Sequence, residues 1–216
     1  MRELVTYEWF TICIILGLII ITITKSIYSA RFNDFLFVVG NSKYLKIYSK
    51  ELKFIDFFDG LLFLNLVLSV GVFSHIALGT VSQSIPFSLV SFLKLCFAIA
   101  VIFLSKTLLE RIIGSLFEIE GLMNNYQFQK TTYKNFTGII LLISNMFLLY
   151  ALQPSSFVIY ALIGTIFVIN SIGFITSFKN NQNLLSSNFF YFLLYLCALE
   201  IGPYVILYKV IMEFNA

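Results

Sequence analysis

The chain reads as an all-α polytopic transmembrane bundle of about six spans, with an amphipathic interfacial helix after the first, and three observations predict it. Hydrophobic residues make up 59% of the 216 residues and charged residues only 12%, about half the usual share for a soluble domain, so its solvent is lipid. Apolar runs of membrane length, ~20 residues, recur from end to end with no polar block large enough to be a second domain. Basic residues gather in alternate connecting segments: Lys25, Arg31, Lys43, Lys46, Lys50, Lys53, Lys106, Arg111, Lys130, Lys134 and Lys179 are eleven of the fourteen. The positive-inside rule then puts the segments after spans 1, 3 and 5 in the cytoplasm and both termini outside it. One integral-membrane domain over residues 1–216 is expected.

Span 1 is expected at about residues 8–28, with Tyr7 and Trp9 at one edge and Tyr28 at the other as interfacial aromatic anchors. Arg2, Glu3 and Glu8 precede it instead of a basic leader, which suits a retained helix better than a cleaved signal peptide. Residues 31–41 mix Phe35, Leu36, Phe37, Val38 and Val39 with Asp34 and end at Gly40-Asn41-Ser42, too short to cross and suited to the interface. Ser42 then reads as the N-cap of a helix over about 43–55. Lys43, Lys46, Lys50 and Lys53 fall on one stripe and Leu45, Tyr48, Leu52 and Ile55 on the other. That pattern predicts a helix lying on the inner leaflet, its lysines toward anionic lipid head groups and its apolar side in the acyl boundary.

Span 2, about 57–78, is entered through Asp56 and Asp59, whose simplest role is capping at the positive end of the helix dipole. His75, with Gly71 and Ser74 near its face, suits an interhelical hydrogen bond. Span 3 is expected at about 86–106, opened by Pro86 and continued as helix through Glu110, Arg111 and Phe117. Lys94, two turns in, either snorkels outward or serves as the counter-ion of Glu200. Glu118 to Lys134 reads as a polar loop. Spans 4 and 5, about 136–152 and 157–178, form a hairpin through Gln153-Pro-Ser-Ser156, with Asn145 and Asn170 at depth and Gly164, Ser171 and Gly173 allowing close helix packing.

Span 6, about 189–212, carries Glu200 near its centre, with Pro203 three residues on and Tyr204 on the same face as the acid. An acid at that depth costs ~2.5–3.5 kcal/mol on insertion scales, so it is expected to face protein, a partner or water. Cys13, Cys96 and Cys197 stand alone in apolar runs and read as small hydrophobes, and His75 is the single histidine, so no metal or cofactor site is expected.

The run Leu194-Tyr-Leu-Cys-Ala-Leu-Glu200-Ile-Gly-Pro203, continuing to Ile206-Leu-Tyr-Lys209, resembles the C-terminal signature of an uncharacterised family, a domain of unknown function, of small six-span bacterial inner-membrane proteins. The resemblance implies a multi-pass protein of the bacterial inner (cytoplasmic) membrane, adds weight to Glu200 and Pro203, and implies no substrate. Without soluble domains, cofactor ligands or a repeated half with paired broken helices, the chain is expected to be a non-enzymatic scaffold or accessory subunit. Its partners would be other integral membrane proteins and not nucleic acid, and envelope assembly or protein export is a setting that would suit it. The alternative is a small proton-coupled transporter or ion pathway centred on Glu200, with Lys94, His75, Asn145, Asn170 and Tyr204 along a polar route. An enzyme acting on lipid would need a convergent catalytic set that the chain lacks.

Overall fold

The computed structural model of the chain describes residues 8–41, 43–49, 56–81, 88–117, 120–152 and 154–180. Among these residues the fold is all-helical: α1 (Glu8–Ile27), α2 (Ser29–Leu36), α3 (Lys43–Tyr48), α4 (Phe57–Val81), α5 (Leu89–Leu116), α6 (Glu120–Met146) and α7 (Ser156–Asn180). A π-helical turn, Phe147–Ala151, prolongs α6. Five helices, α1, α4, α5, α6 with its π turn, and α7, are long and apolar enough to cross a membrane, which is compatible with a multi-pass membrane protein. The expected sixth segment, 189–212 with Glu200, Pro203 and Tyr204, lies outside the described residues.

Five threonine hydroxyls are satisfied within their own helices. Thr22, Thr24, Thr80, Thr107 and Thr165 each donate to the carbonyl four residues back, at 2.7–2.9 Å. This is how a polar side chain is tolerated where water is excluded.

Contacts between helices fix their directions. Phe10 meets His75 and Tyr28 meets Phe58, with ring centroids at 5.2 and 5.7 Å, so α1 and α4 are antiparallel. Asn135 Nδ2 donates to the Asp59 carbonyl at 3.4 Å and Asn145 Nδ2 to the Ser69 carbonyl at 2.9 Å. Both partners advance together along the chain, so α4 and α6 are parallel neighbours. Gly114 lies against Met123 and Thr107 against Gln127, and Gly173 against Tyr133 and Asn170 against Thr137, so α5 and α7 are antiparallel to α6. α6 is therefore the central helix, packed against α1, α4, α5 and α7.

This alternation brings the ends of α1, α5 and α7 together with the starts of α4 and α6. At that end α2 and α3 fold over the bundle as a cap, with Phe32, Phe35, Val38, Tyr44, Leu45, Phe58, Leu62, Phe128 and Tyr133 as its buried core. A second core, around Phe10, Phe73, Ile76, Phe92, Cys96, Leu141, Leu148 and Ile159, fills the far half. The outer faces are apolar and open, with Phe97 72%, Phe157 81% and Phe167 73% exposed, as lipid-facing positions would be.

Three sequence expectations are corrected. The polar stretch 120–134 is the first part of α6 and not a loop. Its polarity misled because Met123, Tyr126, Phe128 and Tyr133 are buried while Gln127 bonds to α5, so the polar groups belong to helix contacts. Tyr44 and Leu45 of α3 are 0% and 1% exposed, packed into the cap core and not turned toward acyl chains. The Asn41 side chain, bonded to the Lys43 N–H at 2.9 Å, helps to start α3; Ser42, Lys50, Lys53 and the rest of 50–55 lie outside the described residues. Gly164 is exposed with no atom within 4 Å of a Cβ placed there, so it packs against no helix in the described structure, whereas Gly173 sits tightly on the Tyr133 ring.

Candidate functional site

The most polar part of the described structure is the cap end, and Arg31 organises it. One turn of α2 carries Phe32 and Phe35 into the cap core and leaves Arg31 beside them at the start of α4. Its Nη1 contacts Asp56 Oδ2, its Nη2 reaches Asp59 Oδ2 at 3.3 Å, and its Nε donates to Tyr44 Oη at 3.3 Å. The guanidinium carbon lies 4.3 Å from the centre of the Phe58 ring and 5.1 Å from that of Tyr48. A planar cation held by two carboxylates and two ring faces has little freedom left. Asp56 also caps α4 as expected, its Oδ1 accepting the Phe58 N–H at 3.1 Å, so one residue both starts the helix and holds the cap. Burial, and after it the charge of Asp59, pushes the Tyr44 hydroxyl well above the usual phenol range; it stays protonated while accepting from Arg31.

A second polar cluster joins α5 to α6. Glu110, 2% exposed, is paired with Lys130 Nζ. Gln127 Nε2 donates to the Thr107 carbonyl at 2.7 Å, and its Oε1 accepts from Arg111 Nε at 2.9 Å. Gln127 and Lys130 share one face of α6 at i and i+3, and meet Thr107, Glu110 and Arg111 across the hairpin.

Between the two clusters opens a hollow of about 490 Å³, within the range of small-ligand or side-chain sites. Asp56, Asp59, Thr107, Arg111, Glu120, Asn124 and Gln127 supply polar lining, and Met123 and Phe128 an apolar wall. The hollow does not continue along the α4–α6 seam. One turn beyond Asn135, a Cβ on Gly138 would stand 2.8 Å from the Leu66 backbone, so the helices touch there without room for a side chain.

The residues singled out by sequence are dispersed. Lys43 and Lys46 are exposed on α3, Lys43 paired with Asp34 at 3.3 Å. Lys94 is exposed on the far half of α5. His75 is half-buried against Phe10. Asn145 ties α6 to α4, and Asn170 ties α7 to α6 by donating to Thr137 Oγ1 at 3.3 Å as well as to its own Ile166 carbonyl. Both amides thus act as interhelical cross-links. Cys13 and Cys96 are free thiols in apolar surroundings. Among the described residues no three His, Cys, Asp or Glu side chains gather as metal ligands.

Sequence reasoning missed the cluster around Arg31 and the one around Glu110. Their signal was present as pairs far apart in the chain, basic Arg31 with acidic Asp56 and Asp59, and Glu110 with Lys130, but nothing local says which acid meets which base.

Searches of curated proteins and of solved structures each returned no match. The family described as Domain of unknown function (DUF4271) matches residues 10–211, nearly the whole chain, and the protein belongs to that family.

Proposed function

We propose that this protein is a non-enzymatic accessory subunit of a membrane complex, and that its helical cap is where a partner docks. The observation that carries this reading is a polar hollow that ends blind. In its lining Asp56 and Asp59 are held by Arg31 and Arg111 by Gln127, and beneath it the α4–α6 seam closes at Gly138 and Leu66. A pathway for ions or protons needs polar groups that continue through the bundle, whereas a docking site needs a preorganised concavity with polar groups at its rim. The cap has the second character. The buried side chains deeper on this seam, Asn65, Ser69 and Asn145, are amides and a hydroxyl, which do not titrate.

The partner is another integral membrane protein, offering a polar or basic segment to Asp56, Asp59 and Glu120. Exposed Lys43 and Lys46 stand on the same cap and suit anionic head groups of the inner leaflet, which agrees with a cytoplasmic cap under the positive-inside rule and with a bacterial inner membrane. Envelope assembly or protein export is the kind of process such a subunit serves.

The test is purification of the tagged protein from its own membranes in mild detergent. A stoichiometric membrane complex, lost on Asn124→Trp, which would fill the hollow, supports the reading. A lone protein that moves ions or protons when placed in liposomes would overturn it in favour of the pathway centred on Glu200.

A further inference from the structure

Well below the cap, α1, α4 and α6 converge on a cluster of polar atoms that no protein group satisfies. Asn65 is 0% exposed, Ser69 1% and Asn145 0%. Asn65 stands about 12 Å along α4 from Phe57, at 1.5 Å per residue, and Ser69 one turn further, so both lie at depth in an apolar helix of membrane length. The spacing i, i+4 puts them on one face. Asn145 donates to the Ser69 carbonyl at 2.9 Å, which brings its own Oδ1 to the same place.

The inventory of unpaired atoms there is specific. Asn65 Oδ1 and Nδ2, Ser69 Oγ and Asn145 Oδ1 are all buried without a hydrogen-bond partner. On the α1 side is Gly17, where a Cβ would stand 3.1 Å from Asn65 Oδ1 and 2.7 Å from a Leu142 methyl. Neighbouring glycine and leucine offer no free donor. Buried amides left in that condition are costly, and in a polar cluster of this kind the usual occupant is ordered water, which makes two to four hydrogen bonds.

We infer that Asn65, Ser69 and Asn145 form a buried water-binding site that joins α1 to the α4–α6 pair. Water fits because the unpaired set contains both kinds of group: it donates to the carbonyl oxygens and accepts from the Asn65 amide. A sodium ion would satisfy the oxygens only, leave the amide N–H groups facing a positive charge, and find no counter-charge among these neutral side chains. Exchanging O and N on Asn65 changes nothing in this argument, because both of its ends are unpaired.

The test uses the full chain in lipid bilayers, labelled with 13C-carbonyl leucine and 13C,15N-asparagine, so that each asparagine's backbone nitrogen is correlated with its own side-chain amide. Leu64-Asn65 is the one Leu-Asn step in the sequence, so Asn65 is identified without mutation. Solid-state transfer of water magnetisation to side-chain amides should reach Asn65 Nδ2, and Ser69→Ala combined with Asn145→Leu should reduce that transfer several-fold while the Leu64-Asn65 backbone signal stays in place. If the Asn65 amide receives no water magnetisation in the wild type, the inference fails. Thermal unfolding in sodium chloride and in choline chloride at equal ionic strength should coincide; a midpoint raised specifically by sodium would replace water with a cation and overturn it equally.

Discussion

Alanine at Gly138 should destabilise the protein, although the same change in most helices is favourable. The new Cβ would stand 2.8 Å from the Leu66 Cα and 3.0 Å from its Cβ, and ordinary contact begins near 3.4 Å, so α4 and α6 must separate by at least 3.4 − 2.8 = 0.6 Å. The obstruction is backbone and cannot rotate away. Overpacking of this kind costs ~1–3 kcal/mol, against which alanine recovers up to ~1 kcal/mol of helix propensity, leaving roughly 1–2 kcal/mol of net loss. Gly164→Ala on α7 is the matched control: with nothing within 4 Å it meets no obstacle and should gain up to ~1 kcal/mol. Thermal unfolding of both variants in one detergent reads the difference, with Gly138→Ala lowered by roughly 3–6 °C and Gly164→Ala unchanged or raised. A Gly138→Ala protein as stable as wild type would refute the tight α4–α6 seam and, with it, the blind hollow.

Arg31→Leu should cost about 2–3 kcal/mol, below the ~3–5 kcal/mol of a fully buried pair because the Arg31, Asp56 and Asp59 side chains keep 16–23% exposure; equilibrium unfolding within ~0.5 kcal/mol of wild type would sink the latch. Arg31→Lys keeps the charge but loses the fork that reaches both carboxylates and the flat contact with Phe58, so its midpoint should fall between those of wild type and Arg31→Leu. Single cysteines at Lys46 and Ser155, both exposed and at opposite ends of the bundle, should be labelled from opposite sides of the membrane in cells, Lys46→Cys only after permeabilisation; labelling from one side would contradict the topology.

Helix existence was legible because apolar runs of membrane length leave the backbone one way to satisfy its hydrogen bonds. Phe57–Val81 and Ser156–Asn180 begin and end within a few residues of where the sequence placed them, and the hairpin cap falls on Ser155, whose Oγ accepts the Val158 N–H at 3.4 Å. The start of α6 was not legible, since hydropathy tracks lipid and much of residues 123–133, Met123, Tyr126, Gln127, Phe128, Gln129, Thr132 and Tyr133, is buried against protein. For the same reason α3 was read as a surface helix: an apolar stripe opposite a lysine stripe fits a membrane surface and a protein core equally well, and Tyr44, off the stripe that was read, is the residue most deeply buried there. The site was the least visible part. Asp56 and Asp59 were recognised as acids at a helix start, but their pairing with Arg31 depends on α2 folding back over the bundle, which no spacing within either segment encodes.

Occupation of the cap hollow by a partner is read most directly by a photo-crosslinking residue at Asn124, exposed on its lining, in intact membranes. A single discrete adduct with another membrane protein at Asn124, absent with the same probe at lipid-facing Val168, is the predicted result. No protein adduct at Asn124, or the same adduct at both positions, would contradict it.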